Sequence, residues 1–457
     1  MNRDAIDFEN GKVSRLFRRL FFPTLIGSLS ISAMTAIDGI FIGQAIGSDG
    51  VAAVNITAPL WMIFAGLSLM LGVGSSVVTA IHLSQQKLKV ARLNVTQALV
   101  FATMASTIVC ILIMSFPEAT AELLGSSAHL EPMVSEYLMG IMPGFIFETW
   151  SMIGLFIIRL DGSPRVAMWC NAISSLMNIL LDWLMIVVLG WGLIGAAVAS
   201  TISIIIGGFI AMGYLLFFSN QLKPIPIKMS KKSIMLSCRN IGYHCRIGSS
   251  SLLGESTLAV LIFVGNLIFM KYLGDDGVGA FGVACYYTPF LFMVGNSIAQ
   301  SAQPIISYNY GIKRFDRVRQ TLRLLVITAF VCGLIVTSAF TFYPRELVSL
   351  FLSPETRAAQ IAIDGFPLFS FGFIAFILNI AVVGYFQSIK RVKPATCFAT
   401  LRGCIFLIPC FYLMPQWLGT PGIWLAVSAA EILTLVCIFA YVVGKRKIAQ
   451  QHKAVNA

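Results

Sequence analysis

The sequence predicts an all-α polytopic membrane protein of twelve transmembrane helices, in two six-helix bundles related by a pseudo-two-fold axis along the membrane normal. Three observations predict it. Of 457 residues, 57% are apolar and 11% are charged, where a soluble domain carries roughly a quarter charged residues. The 32 Lys and Arg fall in short clusters between long apolar runs. The chain also repeats itself at an offset of 227 residues. The composition excludes an ordinary soluble enzyme, and it is too apolar for a disordered chain. The clustering excludes nucleic acid as the partner for the net charge of +12, because the basic residues follow the pattern of cytoplasmic loops.

Lys12, Arg15, Arg18 and Arg19 come first, with Val13, Leu16, Phe17 and Leu20 between them at helical spacing. Residues 1–19 read as an amphipathic lead-in lying on the inner membrane surface. The following run is too long for a signal-peptide core and has no small-residue cleavage site. Apolar runs able to cross a bilayer of about 30 Å lie near 20–45, 52–81, 91–116, 133–158, 166–189 and 193–218 in the first half. In the second half they lie near 247–272, 278–305, 320–343, 360–387, 394–414 and 420–443. Lipid cannot satisfy an open backbone, so all are expected to be helices. Residues 219–246, with Pro224 and Pro226, read as a cytoplasmic linker, and 444–457 as a cytoplasmic tail.

With the N-terminus in the cytoplasm, one side receives Lys87, Lys89, Arg92, Arg159 and Arg165. It also receives Lys223, Lys228, Lys231, Lys232, Arg239 and Arg246, then the Lys313–Arg323 cluster, Lys390, Arg391, Lys393, Lys445, Arg446 and Lys447. The other side receives only Lys271, Arg345 and Arg357, and carries Glu118, Glu122, Glu131, Asp275 and Asp276. Both termini are therefore expected inside. Among the ten cysteines, Cys110, Cys170, Cys332 and Cys437 sit in apolar runs as small hydrophobes. Cys238, His244 and Cys245 share one loop but lack a fourth ligand, so no metal site is expected there.

Ile46–Val54 (IGSDGVAAV) matches Leu273–Phe281 (LGDDGVGAF) at five of nine positions. At the same offset Gly192 and Gly195 fall on Gly419 and Gly422, and Arg92 on Arg319. Six spans per half keep both copies in one orientation, as in transporters built from parallel repeats. A cleft on such an axis suits alternating access.

Ionisable groups inside the membrane are costly and are functional candidates by default. Asp38 in span 1 and Asp182 in span 5 each lie about 10 Å below the outer end of their span, at 1.5 Å per residue. Asn178 is one turn deeper than Asp182 on the same face, and Thr201 in span 6 lies roughly 13 Å below its outer end. Two acids confined together suit the holding of a proton near neutral pH, and the same oxygens suit Na⁺. Singly, Asn178 and Thr201 read as hydrogen-bonding glue between helices. Glu255 in span 7 reads either as a holder of a cationic substrate or as a wet carboxylate near the cytoplasmic mouth. Arg402 and Glu431 read as a buried structural ion pair, and Glu148 has no assigned role. Tyr286, Tyr287 and Phe290 in span 8 are candidate lining for organic cations. The 19 Met and 34 Phe suit a soft, promiscuous cavity. The chain has no Walker A motif, no HExxH and no nucleophile elbow. It therefore reads as neither an ATPase nor an enzyme. No cofactor is implied, and the energy must come from an ion gradient.

These residues also resemble a known family. QPIISYNYGIKRFDRVR (Gln303–Arg319) looks like the signature of the multidrug and toxic compound extrusion (MATE) family, in its MepA-like bacterial branch. IIRLDGSPRVAM (Ile157–Met168) and IDGIFIGQAIGSDGVAAVNITAP (Ile37–Pro59) resemble its span 4–5 and span 1–2 regions, so the resemblance covers essentially the whole chain. It implies a two-lobed pump of the bacterial cytoplasmic membrane, a monomer, exporting cationic amphipathic compounds in exchange for H⁺ or Na⁺. The family's first-lobe site maps onto Asp38, Asn178, Asp182 and Thr201, and its span 7 acid onto Glu255. The branch that couples sodium through its second lobe carries an Asp in span 10, whereas FILNIAVVGYFQ (Phe376–Gln387) has no acid.

The expected function is thus a secondary active multidrug efflux antiporter. A flippase for lipid-linked precursors, from the same wider superfamily, would want a basic cavity and often two more spans. The major facilitator fold would want a GxxxDRxGRR-like motif where this chain reads LSQQKLKVARLN. A substrate-gated receptor or channel would give currents without counter-ion exchange.

Overall fold

The computed structural model describes residues 6–227 and 230–455. Lys228 and Met229 lie outside them, as do residues 1–5 and 456–457. Every regular element among the described residues is helical. Among the described residues ten helices are long and apolar enough to span a membrane singly. They are Val13–Ala45, Asp49–Ser84, Leu88–Ser115, Pro164–Val188 and Gly192–Phe218 (spans 1, 2, 3, 5 and 6), then Ser233–Gly274, Asp276–Gly311, Phe315–Phe342, Val392–Leu418 and Thr420–Lys445 (spans 7, 8, 9, 11 and 12).

Spans 4 and 10 are bent pairs. Glu131–Ile141 meets Gly144–Leu160 at 48°, and Arg357–Ser370 meets Phe373–Ser388 at 50°. Pro143 stands at the first break and Pro367 one turn before the second. Proline removes an amide donor and crowds the preceding turn, so span 4 breaks at Pro143, whereas Pro367 is carried inside its helix and the break follows it. The 227-residue offset carries Gly144 onto Phe371, so the two bends are copies of one feature.

The tight turns repeat too. Gly47 (φ 90°) and Gly274 (φ 65°) join spans 1 to 2 and 7 to 8, and Gly192 (φ 61°) and Gly419 (φ 63°) open spans 6 and 12. Each pair is one repeat apart, at a left-handed φ that excludes most side chains. This explains why these glycines carry the internal sequence match.

Span 1 departs from the surface-lying lead-in expected for residues 1–19. Val13 to Ala45 is one continuous helix, and Val13, Leu16, Phe17 and Leu20 are buried inside the protein. Apolar spacing alone does not distinguish a lipid surface from a protein one. The linker is shorter than its composition suggests, because helix resumes at Lys231 behind a Ser230 cap whose side chain accepts from the amide of Ser233. His244 therefore sits on a buried helix face, with Nε2 2.9 Å from Asn94 Oδ1.

Packing divides the chain into two compact units. The first holds residues 1–255, 300–324 and 385–392, and the second holds 256–299, 325–384 and 393–457. The first unit thus combines spans 1–6 with the basic-loop ends of spans 7, 8, 9 and 10. Polar side chains join those ends. Asn240 Nδ2 donates to Asn94 Oδ1 and Gln97 Oε1 at 3.0 and 2.9 Å, and Gln97 Nε2 donates to Ser237 Oγ at 2.8 Å. Arg159 Nη1 donates to Gln300 Oε1 at 2.9 Å. Before span 1, the carbonyls of Phe8 and Gly11 accept from Arg317 Nη2 at 3.1 and 2.6 Å. Backbone amides of Asn10 and Glu9 bonded to Asp7 hold its carboxyl below the usual carboxylate range. The second unit has an aromatic interior of Phe269, Phe281, Phe366, Phe369, Phe373 and Trp424.

Candidate functional site

Spans 1 and 5 run side by side in the same direction. Gly27 makes this possible: a Cβ there would lie 3.3 Å from Met168 Cα and 3.4 Å from Asn171 Nδ2. From the Gly27–Asn171 contact, three turns along each helix lead to Asp38 and Asp182. A shared register of two parallel helices thus sets the carboxyls level with each other.

Asp182 is fully buried, and the Asp38 and Asp182 carboxyls lie within hydrogen-bonding reach of each other. Among the described residues no donor reaches Asp38 Oδ1 or either oxygen of Asp182. Ionised carboxylates only accept hydrogen bonds. The contact therefore needs one hydrogen between them, or a cation in its place. The chain turns π-helical over Trp183–Val188, directly after Asp182, a distortion that is rare in helices and frequent at functional sites.

Asn178 is fully buried; its Nδ2 donates to Ser200 Oγ at 3.1 Å, and its Oδ1 accepts no hydrogen bond. Thr201 Oγ1 donates to the Gly140 carbonyl at 2.7 Å, beside the bend of span 4. Two carboxyls and a free amide oxygen form an all-oxygen set. Such a set can hold a proton or a hard monovalent cation. Tyr137, which sequence reasoning missed, is buried and close enough to feel the charge of both Asp38 and Asp182. Its only sequence signal is its place one turn before Gly140, whose carbonyl Thr201 holds.

The other candidates have partners of their own. Glu255 packs against span 2, with its Cβ 3.4 Å from where a Cβ on Gly66 would lie. In the second unit, Tyr287 donates its hydroxyl to the Leu347 carbonyl at 2.9 Å and meets Phe340, Phe351 and Phe366 edge-on. Its ring is thus part of that unit's aromatic packing. Tyr286 is 57% exposed and stacks on Phe351, and Phe290 is half-buried. Arg402 Nε donates to Glu431 Oε1 at 2.5 Å, with both side chains 4% exposed. Asn379 Nδ2 donates to Glu431 Oε2 at 2.7 Å, and the guanidinium lies 4.1 Å from the Phe376 ring centre.

The MatE family model matches the chain twice, over residues 23–184 and 252–413, once in each half and together over more than half of the chain. The chain belongs to the MatE family. Both MatE matches end in a span with a π-helical segment, span 5 and span 11. The MatE chain is 22% identical to the multidrug export protein MepA of Staphylococcus aureus (strain NCTC 8325 / PS 47), over 93% of this chain and 92% of that protein. It is 21% identical to MepA of Staphylococcus saprophyticus, over 94% of both. Among solved structures, an outward-facing multidrug resistance MATE family transporter of the MOP superfamily superposes with a TM-score of 0.89 at 19% identity, covering 99% of this chain and 100% of that one. A MOP superfamily transporter from Pyrococcus furiosus, described as having a binding pocket of reversed polarity, superposes with a TM-score of 0.87 at 19% identity, over 98% and 99%. At these identities the structures speak for the fold.

Proposed function

We propose that this MatE protein is a secondary active multidrug exporter of the bacterial cytoplasmic membrane that exchanges cationic amphipathic compounds for H⁺ or Na⁺. One observation carries the reading: Asp38 and Asp182 meet in a buried, donor-poor place where only a proton or a cation satisfies both. The MepA relatives, named multidrug export proteins, support the cargo. The clustered basic loops support cytoplasmic termini.

With both acids charged, their repulsion in a poorly solvated site favours letting spans 1 and 5 part. Binding of the ion removes that repulsion and draws the two spans together. Asn178 and Thr201 transmit the change to span 6 and to the bend of span 4 through Ser200 and Gly140. Drug leaves outward as the ion binds, and release of the ion inward resets the pump. Glu255 holds the positive charge of the drug, and the protein works as a monomer.

Everted vesicles test the coupling. Asp38→Asn should abolish drug uptake driven by ΔpH or Na⁺. Uptake at the wild-type rate would contradict the role given to Asp38.

A further inference from the structure

Below the acid pair, span 5 carries a buried polar stripe. Asp182, Asn178, Ser175 and Asn171 are all at most 5% exposed. They are spaced three or four residues apart, so they share one face. The stripe runs about 16 Å along the helix at 1.5 Å per residue. Span 1 faces it, since Gly27 meets Asn171 and Asp38 meets Asp182. One turn beyond Gly27, toward the basic loops, Thr24 is 1% exposed.

Several of these groups are unsatisfied. Asn178 Oδ1, Ser175 Oγ and Thr24 Oγ1 are buried without a hydrogen-bond partner among the described residues. Each such group costs free energy unless water meets it, and internal water is held where several polar groups converge. Two turns past Asn171, beyond the buried Ala167 and Pro164, lies Ser163, whose Oγ accepts from Tyr214 Oη at 2.7 Å, while Tyr214 Oη also lies 3.0 Å from Asp161 Oδ2. A cavity of about 480 Å³ opens there, lined by Ser163, Val166, Ile210, Gly213, Tyr214 and Phe218.

We infer that the span 1–span 5 interface holds a file of internal water that conducts the coupling proton between the Asp38–Asp182 pair and the cavity at Ser163 and Tyr214. The inference rests on the acid pair being the coupling site, and it names the ion as H⁺. The titratable groups along the file are Asp38, Asp182 and Tyr137 at one end and Tyr214 and Asp161 at the other. The polar groups between them are the hydroxyls and amides of Ser175, Asn178, Asn171 and Thr24. Such neutral groups pass a proton by exchange: each water takes one proton from one neighbour and gives another to the next, and no bond is made or lost overall. They offer no carboxylate to hold Na⁺ on the way.

The test uses ethidium transport in proteoliposomes, with Ser175→Val and Thr24→Val set beside the hydroxyl-keeping Ser175→Thr. ΔpH-driven transport should fall several-fold in the two valine variants and recover in Ser175→Thr. Ethidium–ethidium exchange, which moves no net proton, should stay at the wild-type rate. If exchange falls in parallel with ΔpH-driven transport, the two hydroxyls are merely structural and the inference is wrong. If neither rate changes, the proton takes another route and it is equally wrong. Asp38→Asn separates the two levels. If it uncouples transport while the valine variants do nothing, only the water file fails; if it leaves coupling intact, the acid-pair reading fails first.

Discussion

Ser76 Oγ donates to Gln303 Oε1 at 3.2 Å, and the two residues are 227 positions apart in the chain. That separation is the repeat offset, so each is the other's counterpart. Two equivalent points can touch only on the axis that relates them. Ser84 and Gly311 are a second pair at the same offset, and a Cβ on Gly311 would overlap Ser84 Oγ. Spans 2 and 8 thus cross on the pseudo-two-fold axis at their basic-loop ends.

If alternating access parts those ends, a covalent tie between them stops the pump. Ser84→Cys with Gly311→Cys places two thiols where the backbones approach closely enough for a disulfide. Oxidation should halt ethidium efflux and a reductant should restore it. Efflux at full rate with the bridge formed, as judged by mass spectrometry, would show that spans 2 and 8 stay together throughout the cycle.

Arg402 and Glu431 make a buried pair whose members depend on each other. Removing one partner should cost about 3–5 kcal/mol, because the other charge is left buried and unpaired. Arg402→Met or Glu431→Leu should therefore lower the Tm of the purified protein sharply. The double variant should recover most of the loss, since Asn379 Nδ2 keeps a bond to the Glu431 backbone carbonyl at 2.8 Å. Equal losses in the single and double variants would count against a mutually dependent pair.

Glu255 packs against span 2 at Gly66, and holding cargo and coupling should separate. Glu255→Gln should raise the KM for ethidium about tenfold, the worth of roughly 1.4 kcal/mol, while the ion-to-drug ratio stays as in wild type. A changed ratio with an unchanged KM would move Glu255 from the cargo to the coupling machinery.

Much of this was legible in the sequence, and its limits are physical. Hydropathy marks the spans because lipid demands long apolar helices. Gly47 and Gly274 reveal the repeat because a left-handed turn tolerates little else. Counting depth along ideal helices sets Asp38 and Asp182 at one level, and the structure sets their carboxyls side by side. What depth cannot supply is azimuth and curvature. Tyr137 lies buried near the acids, on a span bent at Pro143. Val13, Leu16, Phe17 and Leu20 have the spacing of a lipid-facing stripe and pack inward. The bond from the Tyr287 hydroxyl to the Leu347 carbonyl has no signal in the sequence. Ser175 and Thr24 look like ordinary small residues until their partners are counted.

The most direct test of the Asp38–Asp182 account imposes ΔpH and Na⁺ gradients separately on proteoliposomes that hold either wild type or Asp182→Asn, and follows ethidium in both. Wild type should be driven by ΔpH, and Asp182→Asn by neither gradient while still binding the dye. An Asp182→Asn protein that pumps like wild type under either gradient would contradict the account.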